Sequence, residues 1–197
     1  MAAALTQRLL APARELGRYS LLLFHAFTSI TEFSTYRKNL VNQMVVIGID
    51  SLPIVMLAAA FSGAVTTVQT AYQLVSPLIP KSIIGSIVAP SMILELGVVV
   101  TGFILAGRVG ARIAAELGTM RVSEQIDALE SMGLNSVSYL VLPRVLAGMI
   151  MLPMLYVMAC FIGIGGGVVA AHLGGYLTIG EFMNGAREFF EPFSAYF

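Results

Sequence analysis

The sequence has no tryptophan, one cysteine, two histidines and few charges. A single cysteine, Cys160, excludes a disulfide framework and a zinc cluster within the chain. Charged residues make up 11% of the 197 positions, about half the usual share for a soluble domain. Lysine plus arginine balance aspartate plus glutamate, 11 against 11, so no basic excess points to nucleic acid. Without tryptophan, tyrosine and phenylalanine must supply the anchors at a membrane interface. Residues 1–20 contain Arg8, Arg14, Glu15 and Arg18 and no uninterrupted apolar core, so they do not read as a cleavable signal peptide.

What is abundant is apolar. Hydrophobic residues are 57% of the chain and the mean hydropathy is +0.86. They gather in three long stretches, which predicts an all-α membrane protein with spans at 45–71, 83–106 and 145–171. The first stretch would cover ~40 Å at 1.5 Å per residue, enough for a ~30 Å hydrocarbon core with tilt. Before it, residues 5–35 mix Leu9, Leu16, Leu23 and Ile30 with Arg8, Arg14 and Arg18. That mix suits an N-terminal helix lying in the headgroup plane, or an ordinary cytosolic helix. Small residues recur every four positions: Ala59, Gly63 and Thr67 in the first span, Gly102 and Ala106 in the second with Gly110, Ala114 and Gly118 continuing past it, and Gly163, Gly167 and Ala171 in the third with Gly175 just beyond. Such rows let helices approach closely where lipid removes the hydrophobic drive between them. Pro90 and Pro153 are expected to bend the second and third spans.

Glu95 is the most informative residue, the only charge between Ser82 and Ala106. A carboxylate at that depth costs roughly 2.5–3.5 kcal/mol by insertion scales, and such residues face a bundle interior or cavity and mark a pathway. The arginines and lysines set orientation. Arg8, Arg14, Arg18, Arg37 and Lys38 precede the first span, and Arg108, Arg112, Arg121 and Arg144 lie between the second and third, against Lys81 and Arg187 on the other side. The N-terminus and the 107–144 loop are therefore expected in the cytosol, with 72–82 and 172–197 outside. The aromatic-rich tail from Tyr176 onward reads as a membrane-surface helix or loop rather than a span.

Within the cytosolic loop, Gly118 is expected to interrupt the second helix, Ser123 to cap a short one, Glu124 to favour its first turn, and Gly133 to end it. On this helix Val122, Ile126 and Leu129 form an apolar stripe, and Glu124, Asp127 and Glu130 an acidic one. It could dock into a groove on another protein, or lie on the chain's own cytosolic face with its acids solvated.

Glu95-Leu96-Gly97, Ala106-Gly107-Arg108-Val109-Gly110, Ala115-Glu116-Leu117-Gly118-Thr119-Met120, Glu124-Gln125-Ile126-Asp127-Ala128-Leu129 and Pro143-Arg144 follow one another in order. With these blocks the chain resembles the MlaE/YrbE-type permeases, membrane subunits of MCE-associated ABC transporters, over roughly residues 40–175. The resemblance implies a single permease domain over 1–197 with a coupling region at 119–133. The family typically has five spans, so it also implies two more beyond this chain. It implies a homodimer in the bacterial inner membrane, a cytosolic ABC ATPase that binds ATP and Mg, and a ring of MCE-domain proteins on the periplasmic side. No cofactor is implied for this chain. The cargo implied is phospholipid moved between inner and outer membranes. Glu95 would lie at the lipid cavity beside Leu94 and Val98, which stand where the family often has arginine and proline. Glu124, Gln125, Asp127, Ala128 and Leu129 would couple to the ATPase, and Gly102, Ala106, Gly110 and Ala114 would serve helix packing.

Enzymatic chemistry has little to stand on. No serine has histidine and acid in a triad-like motif. His25 and His172 fall on opposite sides of the expected membrane. Gly163-Ile164-Gly165-Gly166-Gly167 looks like a phosphate loop but lacks the following Lys-Ser/Thr and the preceding strand. Arg108 and Arg112 could meet a lipid phosphate, though snorkelling at the membrane edge is their commoner role. Two rival functions use the same features: a channel or secondary transporter with Glu95 as an ion or proton site, and a scaffold that only anchors partners.

Overall fold

The computed structural model describes residues 17, 20, 33–74, 80–133 and 136–188. The interfacial helix expected over 5–35 lies almost wholly outside them. Among the described residues every regular element is helical. In chain order these are α1 (Phe33–Ile47), a 3-10 turn (Ile49–Ser51), α2 (Leu52–Gln73), α3 (Ile83–Ser91), a π turn (Met92–Leu96), α4 (Gly97–Val122), α5 (Gln125–Ser131), α6 (Ser136–Leu173) and α7 (Ile179–Glu188). Three apolar helical runs are long enough to cross a membrane: Arg37–Gln73, Ile83–Val122 and Tyr139–Leu173. The chain is therefore an all-α, multi-pass membrane protein. Each expected span sits inside one of these runs.

The described residues fall into two compact units, one from those within 33–44 and 114–148, the other from those within 45–113 and 149–188. In the second unit, α2 and α6 cross through small residues. Gly63 and Gly163 meet backbone to backbone, and a Cβ on Gly167 would lie 2.7 Å from Thr67 Oγ1 and 3.3 Å from the Gly63 carbonyl oxygen. Val55, Ala59 and Ala159 are fully buried beside this crossing. The rows read in the first and third spans thus serve packing, except that Gly175 falls in a turn with φ of 67° instead of extending its row. The hydroxyls of Thr66, Thr67 and Thr70 donate to carbonyls one turn back at 2.8–2.9 Å, so none of these three donors is left bare.

Pro53 occupies the first turn of α2, where a missing N–H costs nothing. The aromatic-rich tail contributes α7, whose start is a reciprocal capping box. The Glu181 carboxylate accepts from the Thr178 N–H at 2.8 Å and hydroxyl at 2.9 Å, while the Glu181 N–H donates to Thr178 Oγ1 at 3.4 Å. These bonds hold the Glu181 carboxyl below its ordinary range. Phe182 of α7 is fully buried with Ile84, Val88 and Met92, and Gly85 and Gly185 allow α3 and α7 to touch backbone to backbone.

In the first unit, Arg144 and Glu116 pair at 3.0 Å, Asn39 donates to the Tyr139 carbonyl at 3.3 Å, and the Ser136 hydroxyl donates to Glu130 at 2.7 Å. Two local expectations fail here. Gly118 does not interrupt α4, which continues to Val122 because a lone glycine costs a helix only ~1 kcal/mol. Ser123 does not cap α5. Its hydroxyl bonds back to the Thr119 carbonyl at 2.7 Å, and Glu124 takes the capping position in the left-handed region with φ of 57°. Gly133, at φ of 77°, does end the helix as expected.

Candidate functional site

Glu95 lies midway along the second apolar run. Lys81 is fourteen residues before it and Arg108 thirteen after, with no other charge between. At 1.5 Å per residue each is ~20 Å away, so Glu95 sits about halfway between the nearest basic residues of a run long enough and apolar enough to cross a membrane. The side chain is exposed on the surface of this chain. Among the described residues none reaches its carboxylate with a hydrogen bond or ion pair. Leu94 and Val98 flank it, 48% and 53% exposed.

The glycine row of α4 extends the same open face. Gly102, Ala106, Gly110 and Ala114 are all exposed. Among the described residues, a Cβ on Gly102 or Gly110 would meet nothing within 4 Å. Unlike the rows of α2 and α6, this one is not used by any described part of the chain. Phe103, 77% exposed, stands beside it.

Glu95 is carried by the π turn. The Gly97 N–H donates to the Met92 carbonyl, the i→i+5 bond of that geometry. Pro90, just upstream, brings no N–H of its own. The widened turn packs on α6, and next to it an apolar groove of about 450 Å³ is lined by Ala89, Ile93, Phe161, Ile164 and Val168, together with Arg187 of α7.

Arg108 and Arg112 are engaged with the start of the first apolar run. Arg108 donates to the Ser51 hydroxyl at 2.7 Å, and Arg112 pairs with Asp50 at 3.1 Å. Both contacts tie α4 to the 3-10 turn. No spacing rule could have found them, because the partners are 57 and 62 residues apart.

At the other candidate site, α5 exposes Gln125, Asp127 and Ala128, with Ile126 and Leu129 half-buried. Asp127 is paired with Arg121 at 2.5 Å. Val122, expected in the apolar stripe, is instead 87% exposed, and Met132 at the opposite end is 67% exposed. Two apolar side chains thus bracket an exposed helix with acids between them. Among the described residues no group of three or more histidine, cysteine or acidic side chains could hold a metal.

Comparison with known proteins agrees with this architecture. The family described as Permease MlaE matches residues 40–197. A probable ABC transporter permease protein of Rickettsia bellii is 36% identical over 192 residues, which is 98% of this chain and 74% of the relative. A second, from Rickettsia felis, is 43% identical over 155 residues, 79% of this chain and 60% of the relative. The intermembrane phospholipid transport system permease protein MlaE of Haemophilus influenzae is 37% identical over 154 residues, 78% of this chain and 59% of that protein. The chain thus spans between about three fifths and three quarters of the length of these relatives. With three apolar spans and a match over four fifths of its residues, the chain belongs to the MlaE family of ABC transporter permeases.

Proposed function

We propose that this protein is the membrane subunit of a transporter that moves phospholipid between the inner and outer membranes of a bacterium. The observation that carries the reading is Glu95. It is an unpaired carboxylate at mid-span, on an open face that continues into small residues. Such a group is costly in lipid and persists where a cavity or a partner surface receives it. The row beside it is built for close approach, which a second copy of this chain would provide. Two copies facing each other would enclose Glu95, Leu94 and Val98 in a chamber with one polar point and apolar walls, matching a lipid's headgroup and chains. The groove near Arg187 repeats that pairing of apolar lining and a single charge.

The chain supplies no nucleotide site of its own in this reading. A cytosolic ATPase that binds ATP and Mg would dock on Glu124, Gln125, Asp127, Ala128 and Leu129, with Val122 and Met132 as apolar contacts. Movement at α5 would pass along α4, which is unbroken from Gly97 to Val122. The arginine and lysine balance puts α5 and the N-terminus in the cytosol and α7 on the periplasmic side, where MCE-domain proteins would receive the lipid. Purification of the full-length protein from native membranes tests this reading. An ABC ATPase and phospholipid, identified by mass spectrometry, should co-purify. Function without an ATPase, with steep pH dependence, would favour the ion-site alternative instead.

A further inference from the structure

The π turn at Met92–Leu96 is gripped from α6 by two side chains one helical turn apart. The Tyr156 hydroxyl donates to the Ile93 carbonyl, and the Cys160 thiol donates to the Met92 carbonyl at 3.5 Å. The fit is tight around Gly97. A Cβ there would lie 2.6 Å from the Met92 carbonyl oxygen, 2.7 Å from Cys160 Sγ and 3.3 Å from the Tyr156 ring. The buried Met92 side chain presses on Gly163, with its sulfur 3.3 Å from where a Cβ would stand. Two glycines, two donors and a proline upstream therefore converge on one turn.

We propose that Tyr156 and Cys160 are positioning residues that hold this π turn and thereby aim Glu95. A π turn absorbs one more residue than an α turn. In hydrocarbon, where water is absent, a carbonyl tilted out of the regular ladder gains from a side-chain donor. Tyr156 supplies one to Ile93, and Cys160 adds a second donor to the Met92 carbonyl beside the Gly97 N–H, so contact with α6 favours the wide turn over a regular one. Were the turn to close into a regular helix, everything past it would rotate by about 100° and shift by ~1.5 Å relative to the anchored Val88–Met92 side. Glu95 and the Gly102–Ala106 face would then point elsewhere. The consequence for lipid handling rests on the proposed role of Glu95. The clamp itself does not.

The test uses the full-length transporter in membranes, in a Cys160→Ser background that keeps a donor at that position. Nitroxide labels are placed singly from 98 to 106, and the periodic accessibility to oxygen gives the rotational phase of α4. Tyr156→Phe is expected to move that phase by about 100°. Deleting Ile93 in the Tyr156→Phe protein removes the extra residue and is expected to restore the original phase. An unchanged phase in Tyr156→Phe overturns the proposal, as does failure of the deletion to restore a phase that had moved. Should Tyr156→Phe not assemble, Cys160→Val is compared with Cys160→Ser in its place: a moved phase in Cys160→Val supports the clamp, and an unmoved one overturns it. Lipid transport is measured alongside. A rotated α4 with undiminished transport supports the clamp and removes Glu95 from the lipid site, so the two ideas fail separately.

Discussion

Glu116 and Arg144 form an ion pair whose two halves are unequally placed, and that inequality makes a quantitative prediction. The Arg144 side chain is 7% exposed and that of Glu116 is 43% exposed, with 3.0 Å between them. Arg144 Nε and Nη1 have no acceptor among the described residues, so Glu116 is the chief compensation for a buried guanidinium. The raw attraction of unit charges at that distance is about 5.5 kcal/mol at an effective dielectric of ~20. Solvent at the half-exposed carboxylate screens much of it, so the net attraction is well below that raw figure. Glu116→Ala strands the buried cation and is expected to cost about 3 kcal/mol, the low end for breaking a buried pair. Arg144→Met removes the buried charge and leaves a carboxylate that water can reach, so it is expected to cost less than about 1 kcal/mol. The double variant should resemble Arg144→Met alone. Reversible unfolding of the full-length protein in mixed micelles measures all three. Equal costs for the two single variants, or a double variant as unstable as Glu116→Ala, would refute the reasoning.

Further outcomes are expected elsewhere in the chain. Asp127→Lys places a cation where Arg121 already stands and should abolish co-purification of the proposed ATPase while the helical content stays unchanged; retained ATPase would remove α5 from the proposed docking surface. Gly163→Val forces side-chain atoms into the α2–α6 crossing and should destabilise the chain by about 1–3 kcal/mol or more. Gly102→Val meets open space among the described residues and should spare folding but weaken the proposed self-association, read by cross-linking in membranes. Because the Glu181 carboxyl is held below its ordinary value of 4.5 by bonds from Thr178, it stabilises the start of α7 at neutral pH. That contribution is lost as the pH falls from the ordinary glutamate range through the lowered native value. Hydrogen exchange of α7 amides should accelerate over that acid interval in the wild type and show no such step in Glu181→Gln.

Much of the membrane architecture is legible in the sequence because hydropathy acts locally. Long apolar runs, the glycine rows of α2 and α6, and the Gly133 stop all follow from neighbouring residues. The π turn is not legible. Pro90 hints at a disturbance, but the turn is fixed by Tyr156 and Cys160, 63 and 68 residues away from the carbonyls they bind. The same distance in sequence hides the partners of Arg108 and Arg112. The Thr178-x-x-Glu181 capping box has a readable spacing, but the aromatic character of the tail masks it. The glycine row of α4 looks like the other two, yet nothing described in this chain meets it. Its pattern states that something can come close and leaves the identity of that neighbour to the partner's surface.

Transport by the assembled complex with Glu95→Ala addresses the central claim most directly. The full-length permease is reconstituted with the proposed ATPase and the proposed periplasmic partners, and transfer of labelled phospholipid is followed with ATP. The variant should assemble and bind its ATPase normally, while lipid transfer falls at least about tenfold, equivalent to ~1.4 kcal/mol on the limiting step. Undiminished transfer in an intact complex would mean that the carboxylate at mid-membrane does not handle the lipid.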